Sequence, residues 1–136
     1  MLNAKEIVDK MLKNDSFSSW LEINIIDLHE GYCKISLKVN ESMLNGFSIA
    51  HGGISYSLAD SALAFAANSY GKKAVSIETS ISHIKKVNNH DTLIAETNEL
   101  NKTNKTGLYS ITITNQENLA VACFKGTVYF SEKNWN

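Results

Sequence analysis

The stretch HGGISYSLADSALAFAANSYG, residues 51–71, decides how the rest of the chain is read. Beyond the glycine pair it is mostly apolar, its five alanines favour helix, and β-branched residues are nearly absent. A helix is predicted over 54–70, with Gly71 as its C-terminal stop. The apolar side chains are not confined to one face, so the helix is read as central and largely buried. Gly52 and Gly53 put free backbone N–H groups at its start, where they polarise a carbonyl or bind an anion. Asp60, a carboxylate among apolar neighbours, is a candidate base or nucleophile. Together the two features suggest acyl chemistry.

Outward from this helix the periods change. Ile7, Val8, Met11 and Leu12 recur at helical spacing and predict an N-terminal helix within 1–13, closed by Asn14-Asp15-Ser16. Trp20 to Leu28 reads as a strand. Cys33, Ile35, Leu37 and Val39 alternate with polar residues, the period of a half-buried strand. Asn45-Gly46 marks a turn in the irregular segment before the helix. Four more strand-like segments follow at about 74–87, 92–102, 106–116 and 119–131, separated by asparagine-rich turns. Connections this short imply an antiparallel sheet. One long apolar helix must then be buried against a face of it, an α+β architecture. An antiparallel sheet wrapped around a long central helix is the hotdog fold, here a single domain spanning 1–136.

Composition excludes several function classes. The formal net charge is −1, and all 13 basic residues are lysine. A nucleic-acid reader or carboxylate clamp would usually use arginine, so neither nucleic acid nor a membrane surface is an expected partner. No apolar run reaches membrane-spanning length, and the N-terminal residues lack a signal-peptide core. The expected location is the cytoplasm, with Cys33 and Cys123 as free thiols in or near the core. Scattered histidines without CxxC or HxxxH spacing give no metal site.

Gly52 and Asp60 are eight residues apart, or roughly 12 Å along a helix. That is too far for both to touch one carbonyl, so if both are catalytic they come from different chains of a two-fold dimer. The alternative is a buried aspartate satisfied by neighbours such as Ser57 and Ser61.

Asn45-Gly46-Phe47-Ser48-Ile49-Ala50-His51-Gly52-Gly53, followed by Leu58-Ala59-Asp60-Ser61-Ala62, resembles the signature of hotdog acyl-CoA thioesterases of the phenylacetic acid degradation (PaaI-like) type. Val75 to Ile81 and Asp91 to Glu96 continue the likeness, which runs from about Trp20 to Phe130. The resemblance implies that the Gly52 N–H polarises a thioester carbonyl and that Asp60 of the partner subunit acts as general base or nucleophile. It also implies that Asn45 orients the thioester or water, that Ser76 holds the water, and that His51 fixes the glycine turn or joins the chemistry. Coenzyme A is expected at Gly53, along His83, Lys85, Lys86 and Asn88, and along Lys102, Asn104, Lys105 and Thr106. It enters as part of the substrate, so no cofactor is implied.

A homodimer, and by further likeness a homotetramer, is expected. The acyl group stays open among aryl, aryl-acetyl and medium-chain. Ile49, Ile54, Leu58, Leu63 and Phe65 either line its pocket or belong to the core. The chain departs from the family pattern in having no proline in the Lys86-to-Asp91 turn and no glycine before Asp91. Two other readings remain: a non-catalytic acyl-CoA-binding module, and an enoyl-thioester hydratase. The second is weakened because Phe65 stands where a hydratase-type motif places its histidine.

Overall fold

The computed structural model describes residues Met1–Asn136. It contains six strands in one fully antiparallel sheet: β1 (Asn24–His29), β2 (Tyr32–Lys38), β3 (Lys72–His83), β4 (Thr92–Lys102), β5 (Thr106–Thr114) and β6 (Ala120–Asn134). Their spatial order is β1-β2-β4-β5-β6-β3. Three helices accompany them, α1 (Ala4–Lys13), α2 (Ser16–Trp20) and α3 (Gly52–Asn68). α3 touches β2 through β6, five of the six strands. The sheet therefore wraps the helix as the hotdog reading requires. Bulges in β3 at Ser76/Glu78 and in β4 at Glu99/Asn101 add local twist and bend to the strands.

α3 starts two residues before the predicted 54, because His51 caps it. Its Nδ1 accepts the Gly53 N–H at 2.9 Å, satisfying one of the orphan donors of a helix start. At the other end Gly71, at φ +113°, donates its N–H to the Asn68 carbonyl and turns the chain into β3. Leu58, Leu63 and Phe65 are fully buried, each stabilising the fold by roughly 1.5–3 kcal/mol. Gly126 on β6 is what lets the helix lie this close. A Cβ there would stand 2.5 Å from Leu63 Cδ2.

β2 alternates as expected, with Cys33, Ile35 and Leu37 inward. The N-terminal region differs from the reading of its sequence. Asn14-Asp15-Ser16 closes α1, but Asp15 also caps a second short helix, accepting from the Ser18 N–H (2.9 Å) and Ser18 Oγ (2.6 Å). The first strand consequently begins at Asn24 rather than Trp20, after Glu22 takes a positive φ of 54°. Cys123 is also corrected. It lies exposed on the outer face of β6, whereas Cys33 is buried, and both are free. Burial pushes the Cys33 thiol up to about 12.

The two sheet edges are β1 and β3. On β3 the side chains of Val75 and Ile77 are 65% and 60% exposed. No helix is long and apolar enough to cross a membrane.

Candidate active site

The segment before α3 is tied down by its own polar groups. Asn45 Oδ1 accepts the Phe47 N–H at 2.9 Å and, more weakly, that of Ile49. The backbone N–H of Ala50 donates to the Val87 carbonyl, and that of His51 to the Met43 carbonyl, both at 2.8 Å. These bonds hold the glycine pair in place. Of the first N–H groups of α3, that of Gly53 is taken by His51 Nδ1 and that of Ile54 by the His51 carbonyl. The Gly52 N–H donates to no group of the protein. Gly52 lines a cleft of about 250 Å³ together with Asn45, Ser55, His83, Lys85 and Lys86. Because Nδ1 of His51 accepts, its proton sits on Nε2, and the ring serves the turn.

His83, the last residue of β3, packs directly on that turn. A Cβ on Gly52 would lie 3.1 Å from His83 Nε2 and 3.2 Å from Cε1. Glycine at position 52 therefore keeps the ring against the backbone.

Asp60 opens onto a different cleft, of about 240 Å³, lined by Leu63, Ala64, Ala74, Val75, Ser76 and Val128. The two clefts share no residue. Partial burial raises the Asp60 carboxyl above its ordinary value near 3.8. The hydroxyl partners expected from Ser57 and Ser61 are not there. Ser61 Oγ instead meets Ser18 Oγ at 3.1 Å, and no hydrogen bond from within the chain reaches the Asp60 carboxylate.

The remaining predicted residues fall elsewhere. Asn88 lies beside the first cleft, and its N–H donates to Asp91 Oδ2 at 2.9 Å. Lys102, Asn104, Lys105 and Thr106 belong to the β4–β5 hairpin, away from Lys85 and Lys86. Lys102 Nζ sits over the rings of Tyr70 (4.5 Å) and Phe130 (5.1 Å), and Asn104 accepts from Lys72 Nζ. Tyr70, Lys72 and Phe130 complete a third depression there, which no motif announced. Three neighbours in the Asp60 cleft are within reach of periodicity. Leu63 and Ala64 lie three and four positions beyond Asp60 on the helix, and Ala74 is two before Ser76 on the strand. Of the apolar candidates, Leu58 and Phe65 are core, Ile49 lines the Gly52 cleft and Leu63 the Asp60 cleft. Ile54 lines a hollow with Phe17, Trp20 and Ser57.

A helix start with a free glycine N–H and a semi-buried carboxylate on the same helix sit inside a wrapped antiparallel sheet, the hotdog architecture. The sequence pattern of the thioesterase superfamily matches residues 47–122. The acyl-coenzyme A thioesterase PaaI of Escherichia coli is 39% identical over 85% of this chain and 83% of its own. Its solved structure superposes with a TM-score of 0.93, covering 96% of this chain and 95% of that one. A relative from Archaeoglobus fulgidus, provisionally named an esterase, is 42% identical over 93% of this chain and 82% of its own. A Streptococcus mutans protein solved bound to acetyl-CoA is 26% identical, with a TM-score of 0.80 over 83% of this chain and 91% of that one. The chain belongs to the thioesterase superfamily, as a PaaI-like acyl-CoA thioesterase of hotdog fold.

Proposed function

We propose that the active unit is a homodimer in which Gly52 of one protomer and Asp60 of the other act on one thioester. The observation that carries this is the separation of the two residues into clefts with no common lining. A second supports it: β3 is an edge strand with exposed Val75 and Ile77, and edges of that kind pair with another strand. Ser76 lies on this strand, beside Asp60, so pairing along it carries the carboxylate cleft into the interface.

The chemistry follows from the groups. The Gly52 N–H, at the positive end of α3, polarises the thioester carbonyl and holds the oxyanion formed on attack. Partial desolvation makes Asp60 a stronger base than an exposed carboxylate. It takes a proton from the attacking water or itself adds to the carbonyl. The Ser76 hydroxyl orients the water, and the Asn45 side-chain NH₂, whose oxygen is engaged in its own turn, donates towards the thioester. The C–S bond then breaks and the coenzyme A thiol leaves. Where water attacked, the carboxylic acid is formed directly; where Asp60 added, water hydrolyses the acyl–Asp60 anhydride to release it. His51 holds the turn. Gly53 allows close approach of the substrate.

Lys85 and Lys86, with Asn88 beside them, meet phosphates of coenzyme A as point charges. Lys102 and Lys105 do the same from the hairpin, where Asn104 and Thr106 add hydrogen-bond donors. The substrate is an aryl-, aryl-acetyl- or medium-chain acyl-CoA. The reaction needs no cofactor, and the enzyme works in the cytoplasm, as a homotetramer built from two such dimers.

The test is thiol release from a panel of aryl and aliphatic acyl-CoA esters, with wild type and Asp60→Asn compared. Turnover lost in the variant supports the mechanism, and the best ester names the acyl group. Turnover retained in the variant overturns it. Coenzyme A binding without turnover on any ester makes the protein a binding module instead.

A further inference from the structure

We propose that His83 is a second oxyanion donor, working beside the Gly52 N–H on the same carbonyl oxygen. The inference rests on the thioester site proposed above.

His83 ends β3, shortly before Val87 whose carbonyl accepts the Ala50 N–H, and its ring closes onto the glycine turn. The nearest ring atoms to the Cβ position on Gly52 are Nε2 at 3.1 Å and Cε1 at 3.2 Å, with Cδ2 further off at 3.8 Å. That Cβ position lies about 2.5 Å from the Gly52 nitrogen by covalent geometry, so His83 Nε2 stands no more than about 5.6 Å from the nitrogen that carries the free N–H. At that separation one oxygen can lie about 2.9 Å from both nitrogens. His83 lines the same cleft as Gly52 and Asn45, and its ring nitrogens bond to no protein group.

The contrast with His51 is instructive. Its Nδ1 is spent on the Gly53 N–H, so the motif histidine anchors the turn while the strand histidine is free to meet the substrate.

The role requires only an Nε2–H, which the imidazolium carries and one neutral tautomer also carries. In the step itself, water or Asp60 bonds to the carbonyl carbon and the C=O π pair moves onto oxygen. Gly52 and His83 hold that oxyanion. When it collapses, the C–S bond breaks and sulfur leaves with the electron pair. The coenzyme A thiolate is protonated by Asp60 holding the proton taken from water, or by solvent where Asp60 itself has added. In that second case water then hydrolyses the acyl–Asp60 anhydride. His83 gives up no proton at any point. Two donors converging on one oxygen make up a preorganised oxyanion site. Glycine at position 52 gains a second purpose, since any side chain there would push the ring away.

The experiment compares His83→Phe, which keeps a flat ring without a donor, with His83→Gln, which offers an amide N–H. Asp60→Asn is run in parallel, on the best ester of the panel. His83→Phe is expected to lower kcat by about ten- to a hundredfold with KM little changed, as loss of a donor to the transition state does. His83→Gln is expected to recover part of that loss. Wild-type kcat in His83→Phe, a change confined to KM, or a glutamine variant no better than phenylalanine overturns the inference. If Asp60→Asn is inactive while His83→Phe is unimpaired, only the role of His83 fails. If Asp60→Asn is itself fully active, the underlying reading of the site fails. Thermal unfolding of each variant shows whether it is folded, and the exposed position of His83 predicts that it is.

Discussion

Gly52 and Asp60 belong to one helix, yet each opens onto a cleft that the other does not reach. A site assembled across a two-fold axis is then complementable in trans. Asp60→Asn and Asn45→Ala subunits, each inactive alone, are expected to regain activity when unfolded together and refolded as a mixture. Half of the dimers formed are mixed, and in each of those one of the two sites has both residues intact, so recovery approaches about a quarter of wild type. Activity that never rises above that of the separate variants would show that each chain carries a whole site.

Asp60 also exacts a stability cost that its removal should relieve. Burial raises its carboxyl above the value near 3.8 that it has when exposed. The folded state then binds the proton more tightly than the unfolded state. Stability therefore falls as pH rises from about the unfolded value through the folded one, and the penalty is constant above it. Asparagine has no such titration. Asp60→Asn is expected to melt a few degrees above wild type at neutral pH, the gain kept small because the side chain is only half buried. The difference should vanish below the ordinary carboxylate range. A variant that melts lower than wild type at neutral pH would mean that Asp60 has a stabilising partner.

How far the sequence reveals all this depends on the range of the interaction concerned. Periodicity exposes β2, because Cys33, Ile35 and Leu37 face the core on alternate positions whatever surrounds them. It exposes α3 because alanine content and missing β-branching act within the segment. It misses α2, whose five residues are held by the cap of Asp15 rather than by any repeat. It misplaces Cys123 for a different reason. β6 buries both Val121 and Ala122 next to an irregular pairing with β5, so the alternation changes face just before the cysteine. The site divides in the same way. Gly52, His51 and Asp60 are legible as a motif along one stretch of chain. The contact of His83 with Gly52 spans 31 positions and arises only when β3 is laid across the sheet.

Gly126 bears a load that its neighbours in β6 do not. Alanine at this position would bring a methyl to 2.5 Å from Leu63 Cδ2, and to 3.1 Å from a ring carbon of Phe124. Both side chains are buried in the core, so the methyl must displace them. Gly126→Ala is expected to destabilise by about 1–3 kcal/mol, the usual cost of overpacking. Denaturant unfolding measures it as a lower midpoint at unchanged slope. Leu63→Ala in the same chain should restore part of the loss, because it removes the atoms that clash. Strictly additive effects of the two substitutions would show that the clash is relieved elsewhere.

β3 offers the last and most direct test of assembly. Ordinarily an edge strand is protected by charge, proline or a covering element. Here Val75 and Ile77 stand exposed on a strand of 12 residues, with Ser76 between them next to Asp60. Such a surface suits a second copy of the same strand. Ile77→Asp places two like charges close together across a two-fold pairing and is expected to leave the monomer folded, since Ile77 contributes little to its core. Sedimentation should then show the protein shifted towards monomer. Thiol release should fall with it, and rise again with protein concentration as dimers re-form by mass action. A variant that stays assembled with normal turnover moves the interface away from β3. One that is monomeric and fully active removes the need for a partner's Asp60 altogether.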